Sequence, residues 1–532
     1  MKRRDFLQTI GPAGIVFPAL INGLTFKAFA ESPLVSALTQ APTETDHVLV
    51  IIQLNGGNDG LNTVIPFDQY DKLANARSNI ILPKNKLLKI NGTSFTGLHP
   101  SMTGLQTLFN EEKLQVIQSV GYPQPNFSHF RATDIWMSAS DSNKYVNSGW
   151  TGRYLAEEYD GFPTGYPNAV MPDPLAIQIG SFVSPAMQGP SVNMGMAISD
   201  PVNFYNLING IQGASPNTRG GKELTYIRQV AQQTTQYGTA IKNAAAKVTK
   251  QFSGYPTGNS LADQLKIVAR LIAGGLKTRI YMVSLGGFDT HAQQVIANAT
   301  DTGAHARLLQ RVSEGIKAFM DDLNFLNAQK RVIGMTFSEF GRRIKSNSSG
   351  GTDHGAAAPL FVFGHYAKSD VLGNSPEIPL ITSASDNVPM QFDFRSVYAS
   401  ILKQWFCVPD ITLENVMLKN FQNLQVIKSS APCMSSNPDI IPAIETTLAL
   451  TNYPNPFQQS TTLSYQTEGG YALIQIFSTE GKLVKTLLDK EVTAGNHKIT
   501  FENEGYAPGI YYARLQSNNQ QVTRTMILGR QY

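Results

Sequence analysis

HVLVIIQL (residues 47–54), followed at once by NGGNDG (residues 55–60), is the part of this sequence that is most informative about its fold. A run dominated by apolar and β-branched residues, without strict alternation, is typical of a strand buried on both faces of a parallel sheet. The glycines that follow let the backbone bend sharply where that strand ends. We therefore predict a central strand whose carboxyl end opens into a polar loop.

Runs of the same kind alternate with helical patterns over residues 47–440. Further buried strands are predicted at 114–120, 279–285, 331–337 and 360–363. Apolar spacings of three and four predict helices at 222–247, 259–274, 305–327 and 394–406. This order indicates an α/β domain with a largely parallel sheet and a functional site at the carboxyl ends of its strands. Residues 141–215 are rich in Gly, Pro, Asn and Ser, and we expect them to form loops over that site.

The first thirty residues have the features of an export signal. A basic start, an apolar stretch and the end Ala28-Phe29-Ala30 predict a signal peptide at residues 1–30. RRDFL (residues 3–7) resembles the twin-arginine export motif, the alternative being an ordinary secretion signal that carries two arginines. Residues 31–46 have the composition of a linker.

Composition and charge exclude several classes of protein. With 42% hydrophobic and 15% charged residues, the 532-residue chain is globular rather than disordered. The formal net charge is +4, and the leader contributes +3 of it through four basic residues and one acidic residue. Without the leader the net charge is about +1, which does not favour nucleic-acid binding. No stretch after residue 30 has the ~18 apolar residues of a membrane span. Cys407 and Cys433 allow at most one disulfide.

Residues 445–532 change to short alternating strands separated by Gly, Asn and Pro turns. The predicted strands are 462–466, 471–477, 482–487, 497–502, 509–515 and 521–528. This pattern predicts a small all-β antiparallel sandwich.

The same region carries an ordered series of motifs. They are NYPNPF (452–457), TTL (461–463), GKLV (481–484), AGNH (494–497) and PGIYYARL (508–515). Together they resemble the type A sorting domain of the type IX secretion system. The resemblance implies handling by the type IX secretion machinery, passage across the inner and then the outer membrane, and secretion or attachment at the cell surface. A carbohydrate-binding or adhesive sandwich is the alternative.

Five polar clusters of the α/β domain lie beside predicted strands. They are NGGNDGLN (55–62), PNFSHFR (125–131), LGGFDTH (285–291), FSEFGRR (337–343) and GTDHG (351–355). The carboxylates and histidines that they bring to one edge of the sheet are Asp59, Asp289, Glu339, Asp353, His291 and His354. Carboxylate and imidazole groups are ligands of divalent metals, so the clusters predict a metal site. Each cluster taken singly could also be a helix cap, a surface ion pair or a solvated loop.

The second cluster offers groups for catalysis. Ser128 beside His129 could be a nucleophile, with Arg131 or Arg342 holding an anionic oxygen. The alternatives are that Ser128 caps the helix that follows and that the arginines pair with carboxylates.

The motif series resembles the bacterial domain-of-unknown-function 1501 family. The matching motifs are LNGGNDGLN (54–62), GLHP (97–100), SHF (128–130), GFDTH (287–291), SEFGR (338–342) and TDHG (352–355). That family is similar to the alkaline phosphatase and sulfatase superfamily, which implies an alkaline-phosphatase-like fold of three layers, with a largely parallel sheet flanked by helices. It also implies Ser128 as nucleophile and a divalent metal held by side chains of the first strand and later loops. The implied ligands are Asp59, Asp289, His291, Glu339 and His354.

Two departures from the superfamily pattern bear on function. Phe340 stands where a second ligand histidine is expected, and the spacing of Asp289 and His291 is shorter than in the phosphatases. Cys407 begins a Cys-x-Pro pattern without the arginine of formylglycine sulfatases. We expect a metal-dependent hydrolase of phosphate or sulfate esters, acting on a surface polysaccharide or another anionic ester.

Zinc, manganese and calcium all remain candidate metals at this point. Phe340 favours one alternative to the hydrolase, a non-catalytic cell-surface binding or assembly protein that retains the fold. A structural calcium site without hydrolysis is a further alternative.

Overall fold

The computed structural model describes residues 45–199, 236–435 and 448–529, apart from 454–456, 468, 479–480, 494 and 518–519. The leader, nearly all of the linker and the first half of the helix predicted at 222–247 lie outside these residues. The chain divides into two compact units, Met1–Ser436 and Asn437–Tyr532. Within the described ranges, no helix is both long and apolar enough to cross a membrane.

The first unit contains fourteen described strands and nine described helices, with a further helical stretch at 236–247. The strands are β1 (Val48–Asn55), β2 (Val64–Pro66), β3 (Leu88–Lys89), β4 (Thr96–Leu98), β5 (Leu114–Gly121), β6 (Ala176–Ile179), β7 (Gly195–Ile198), β8 (Ile280–Gly286), β9 (Val332–Phe337), β10 (Arg342–Ser346), β11 (Thr352–His354), β12 (Ala358–Gly364), β13 (Val371–Leu372) and β14 (Phe392–Asp393). The helices are α1 (Tyr70–Ala76), α2 (Thr103–Asn110), α3 (His129–Ser138), α4 (Trp150–Glu158), α5 (Ser260–Ala273), α6 (Ala304–Phe325), α7 (Phe394–Phe406), α8 (Asp410–Met417) and α9 (Pro432–Ser435).

Nine strands form one sheet around β1, in the order β13-β5-β12-β9-β1-β8-β6-β7 with β14 beside β5. β1 pairs in parallel with both β8 and β9. β12 is the exception, because it runs antiparallel to β5 and to β9. The carboxyl ends of β1, β5, β8 and β9 therefore share one edge with the amino end of β12. The prediction of a largely parallel sheet is confirmed.

Alternate residues of β1 enter two different cores. Val48, Val50 and Ile52 pack with apolar side chains of α2, α5 and α6 on one face of the sheet. Leu49 and Ile51 pack on the other face with side chains of α3, α4 and α7. Burial on both faces explains why the strand is apolar throughout, and it confirms the three-layer arrangement.

The predicted strands and helices of the described α/β region are present, with ends that differ by one or two residues. The expectation for residues 141–215 is wrong in part, because this region contributes α4 and the sheet strands β6 and β7. Each of these strands has only four residues and lies among Gly, Pro and Ser, so its apolar pattern is too short to separate from a loop.

A disulfide joins Cys407 to Cys433, so the one bridge that the sequence allows is formed. Cys407 follows α7 and has a left-handed backbone with φ of 56°. Cys433 lies in α9, close to the end of the first unit.

The second unit consists of two antiparallel sheets. Its strands are β15 (Ala449–Tyr453), β16 (Ser460–Thr467), β17 (Gly470–Ser478), β18 (Leu483–Val492), β19 (Gly495–Glu502), β20 (Gly509–Ser517) and β21 (Gln520–Leu528). The sheets have the orders β15-β16-β19 and β18-β17-β20-β21. Leu463 and Phe501 of the first sheet share a core with Ile474 and Leu515 of the second. The predicted small antiparallel sandwich is confirmed, and β15 is an additional strand.

Candidate metal centre

Four side chains meet at the edge of the sheet where β1, β8 and β9 end. Asp289 and His291 follow β8, His354 ends β11, and His129 begins α3. Asp289 Oδ1 lies 3.1 Å from His291 Nε2 and 3.3 Å from His354 Nε2. Asp289 Oδ2 lies 3.5 Å from His129 Nε2. The Asp289 side chain is 45% exposed, so the cluster is open to solvent.

The Nδ1 atom of each of the three histidines has its own oxygen partner. The pairs are His129 with Glu339 Oε1 (2.8 Å), His354 with the carbonyl oxygen of Phe127 (2.8 Å) and His291 with Asp353 Oδ1 (3.1 Å). Carbonyl and carboxylate oxygens only accept, so these contacts favour the tautomer with the proton on Nδ1. Each Nε2 then presents a lone pair to the space around Asp289, which is how metal-binding histidines are usually oriented.

The Nε2 atoms of His291 and His354 are 2.9 Å apart. Two lone pairs at this distance repel each other unless a cation lies between them or one ring is protonated. Burial lowers the pKa of His354, which favours the neutral ring that a metal ligand requires. His129, Asp289 and His354 also have ligand atoms within 4.8 Å of one another. Three imidazoles and one carboxylate suit a divalent transition metal such as zinc or manganese better than calcium, which takes oxygen ligands.

Arg342 holds the carboxylate of this cluster from behind. Its fully buried guanidinium donates to Asp289 Oδ1 at 2.7 Å and to the carbonyl oxygens of Gly57 and Thr352. Burial by itself raises the pKa of Asp289, but Arg342 and the neighbouring histidines outweigh it and lower the pKa below the ordinary value. The guanidinium of Arg342 therefore pairs with a carboxylate of the protein, which is the alternative role that we gave for this residue from the sequence.

Asp59 lies apart from the histidines, in an internal ion pair. Its carboxylate is completely buried and accepts two hydrogen bonds from Arg77 Nη1, at 2.9 and 2.8 Å. Gln294 Nε2 donates to the same carboxylate at 2.7 Å. Because its oxygens point at these donors, the structure does not place Asp59 among the groups that could bind the metal.

Glu339 contacts His129, one of the predicted catalytic residues, instead of joining the cluster directly. It is fully buried and accepts hydrogen bonds from His129 Nδ1 and from the backbone N–H of Gly56, at 2.8 and 2.9 Å. His129, for which we predicted a catalytic role, lies in the cluster itself, with its Nε2 atom 3.5 Å from Asp289 Oδ2. Phe340 is buried with its ring 4.9 Å from that of His129 and 4.4 Å from that of His354, and so forms an apolar wall.

Ser128 and Arg131 have different surroundings. Ser128 is exposed and is the N-cap residue of α3, yet its side chain makes no capping hydrogen bond. Arg131 donates to Asp134 and to the carbonyl oxygens of Asp141 and Ser142, so its guanidinium is engaged locally. The hydroxyl of Ser128 therefore stays available next to His129, whereas the guanidinium of Arg131 does not.

The sequence patterns missed two buried residues that donate hydrogen bonds to Asp59. Arg77 follows α1 and pairs with Asp59, and Gln294 lies three residues after His291. Neither belongs to a motif, and a single buried Gln or Arg has no sequence signal that separates it from a surface residue.

The first unit thus combines a largely parallel α/β sheet with a histidine-rich cluster where the strands end. The family profile described as a protein of unknown function, DUF1501, matches residues 46–405, so the chain belongs to this family. A second profile, the secretion system C-terminal sorting domain, matches residues 451–529. Both predicted resemblances are confirmed. The sorting domain implies handling by the type IX secretion machinery, export, and secretion or attachment at the cell surface.

Several solved structures resemble the chain remotely. An alkaline phosphatase superfamily protein from Vibrio parahaemolyticus is 9% identical, with 85% of this chain and 84% of that chain covered and a TM-score of 0.32. The alkaline phosphatase of the Antarctic bacterium TAB5 is 11% identical, with 60% and 92% covered and a TM-score of 0.26. A sulfatase from Pseudoalteromonas sp. is 9% identical, with 88% and 86% covered and a TM-score of 0.27. No curated protein sequence matches the chain.

Proposed function

We propose that this protein is a secreted or cell-surface metal-dependent hydrolase of phosphate or sulfate esters. The proposal is carried by one observation: three imidazole Nε2 atoms lie within 3.5 Å of the carboxylate oxygens of Asp289, at the edge of the sheet where β1, β8 and β9 end. The exposed hydroxyl of Ser128 precedes one of these imidazoles directly in the chain.

The residues that would hold the metal are His129, His291, His354 and Asp289. A divalent ion, when bound, polarises an ester oxygen and lowers the pKa of a nearby hydroxyl or water. The oxygen partners of the three Nδ1 atoms keep the rings oriented, and Arg342 keeps Asp289 in place. The protein thus supplies a preformed set of ligands, which is what a catalytic metal site needs.

Ser128 is the proposed nucleophile, with a water molecule as the alternative. Its oxygen would attack the phosphorus or sulfur atom and release its proton to solvent, while the alcohol leaves with the bonding electrons and takes up a proton. Water would then hydrolyse the seryl ester, giving phosphate or sulfate and restoring Ser128. The amino end of the ten-residue helix α3 carries free N–H groups and a partial positive charge, which favour an anionic group at this place.

A non-catalytic surface protein that binds a metal is the second candidate. It is favoured because Arg131 and Arg342, which we predicted from the sequence could hold an anionic oxygen, pair instead with Asp134 and Asp289. In the described part of the chain, neither of them is free to clamp a substrate. The two candidates differ in turnover rather than in metal binding.

The test uses the purified mature chain, washed to remove loosely bound ions. We expect about one equivalent of zinc or manganese by plasma mass spectrometry, lost in His354→Ala and kept in the control His365→Ala. A panel of aryl phosphate and aryl sulfate esters then measures turnover, which Ser128→Ala should lower at least about 1,000-fold while the metal stays bound.

Three outcomes would contradict parts of this proposal. Protein that is folded but takes up no metal would exclude a metal-dependent hydrolase. Bound metal without turnover of any ester would favour the non-catalytic candidate. Full turnover in Ser128→Ala would leave water as the nucleophile.

A further inference from the structure

Gln294 is a buried side chain that joins the segments carrying two of the three histidines of the proposed metal centre, His291 and His354. It is fully buried, and its Oε1 accepts a hydrogen bond from Thr290 Oγ1 at 3.0 Å and another from Thr352 Oγ1 at 3.1 Å. Thr290 lies between Asp289 and His291 in the chain, and Thr352 lies two residues before His354. One amide oxygen therefore connects both segments.

The other end of the amide fixes the orientation of Gln294. Its Nε2 donates to Asp59 Oδ2 at 2.7 Å. A carboxylate only accepts and each threonine hydroxyl has a hydrogen to donate, so the amide satisfies all three neighbours in one orientation only. A flipped amide would set its oxygen against the carboxylate of Asp59.

Arg77 in turn fixes Asp59 and extends the connection. Besides the two hydrogen bonds to Asp59, its guanidinium donates to the carbonyl oxygens of Arg343 and Ile344, at 2.7 and 3.0 Å. Both of these residues belong to β10, which pairs with β11, the strand that ends at His354. The polar chain thus holds the hairpin of His354 at both of its strands.

The segments around Thr290 and Thr352 also contact each other directly, so their relative position is closely constrained. The backbone N–H of Thr352 donates to the carbonyl oxygen of Thr290 at 3.2 Å. A Cβ atom added to Gly351 would lie 2.4 Å from the carbonyl carbon of His291 and from the carbonyl oxygen of Thr290. A small shift of either loop would therefore change the distance between the His291 and His354 rings.

We propose that Gln294 is a positioning residue of the metal centre, and that Asp59 acts through it. Gln294 holds His291 and His354 at the spacing that one metal ion requires, and Asp59 with Arg77 holds Gln294. This inference rests on the proposed function. It gives a role to Asp59, the acidic residue of the NGGNDG loop, which is not one of the proposed ligands. Residues that orient metal ligands typically change metal affinity by 10- to 100-fold when they are replaced.

The experiment compares two substitutions of Thr352 in the mature chain. Thr352→Val removes the hydroxyl and keeps the branched shape, whereas Thr352→Ser keeps the hydroxyl and removes the methyl group. Zinc affinity is measured by competition with a chromogenic chelator, and the visible spectrum of the cobalt(II) form reports ligand geometry. We expect a Kd at least about 10-fold higher and an altered cobalt spectrum for Thr352→Val, with Thr352→Ser within about threefold of wild type.

Gln294→Met is the second variant, since it keeps the size of the side chain and removes both hydrogen-bonding ends. It should weaken zinc binding at least as much as Thr352→Val, and the thermal midpoint of the metal-free protein shows whether each variant is folded. If Gln294→Met does not fold, Thr352→Val decides alone. Wild-type zinc affinity in Thr352→Val, or equal weakening in Thr352→Ser, would overturn the inference. A wild-type protein without metal affinity would overturn the proposed function as well.

Discussion

His99 and His305 pack edge to face inside the first unit, with 6.2 Å between their ring centroids. His305 Nε2 lies 2.9 Å from Asn58 Oδ1, an amide oxygen, so this nitrogen carries the proton. His99 Nδ1 accepts a hydrogen bond from the backbone N–H of Ser101 at 3.0 Å. Burial lowers the pKa of His305 to about 4 and that of His99 to about 3. Both rings are therefore neutral in the folded protein at pH 7.

This pair should make the stability of the protein depend on pH. In the unfolded chain each ring takes up a proton near pH 6.5, but in the folded protein only near pH 4 or below. The contribution of the rings is complete above about pH 6.5 and is lost as the pH falls toward 4. We expect the free energy of unfolding to fall by up to about 1.4 kcal/mol per pH unit for each histidine in this range.

Urea unfolding of the metal-free protein at pH 7 and pH 5 measures the effect. His305→Gln offers a donor in a similar place without the titration, so its stability should change less between the two pH values. Carboxylates with lowered pKa, such as Asp59, act below pH 3.8 and do not contribute here. Equal pH dependence in wild type and variant would contradict the assignment to His305.

The hairpin of β10 and β11 approaches the loop after β8 closely, and Thr352 N–H donates to the carbonyl oxygen of Thr290. Gly351→Ala puts a methyl group where the backbone of Thr290 and His291 already lies, so the hairpin must move away. We expect this variant to bind zinc at least about 10-fold more weakly. Gly286→Ala is the matched control, because an added Cβ there meets no atom within 4 Å. Equal affinities in a chelator competition would show that the approach of the loops is not needed.

The elements also show which parts of the fold the sequence could predict. β1 and β8 have long apolar runs buried on both faces, and such runs are visible in any sequence. The antiparallel direction of β12 is not visible, because it depends on how the β10–β11 hairpin brings the chain back to the sheet.

The sequence likewise predicts only part of the candidate site, because some of its contacts depend on the tertiary structure. Asp289, His291 and His354 lie beside predicted strands, and the shared edge of the sheet brings them together. The partner of Asp59 comes from Arg77 after α1, a contact that no spacing in the sequence indicates. Asp59, which the family resemblance implied as a metal ligand, therefore lies in an internal ion pair with Arg77.

The proposed metal ligands and the disulfide all lie in the first unit, which ends at Ser436. We expect a chain of residues 31–436 to keep the metal content of the mature chain and its own calorimetric unfolding transition. The physical reason is that each unit has a separate hydrophobic core. A lower transition temperature or lost metal in the shorter chain would show that the sorting domain supports the first unit.

The bond between Cys407 and Cys433 spans 26 positions, including α8 with its exposed Ile411. Proteins outside the cell meet peptidases, which cut at exposed segments. A single cut between the two cysteines would leave both pieces covalently joined, with the sorting domain still linked to the rest of the first unit. A cut after Cys433 and before the sorting domain is not spanned by this bond, and it would separate the sorting domain from the first unit.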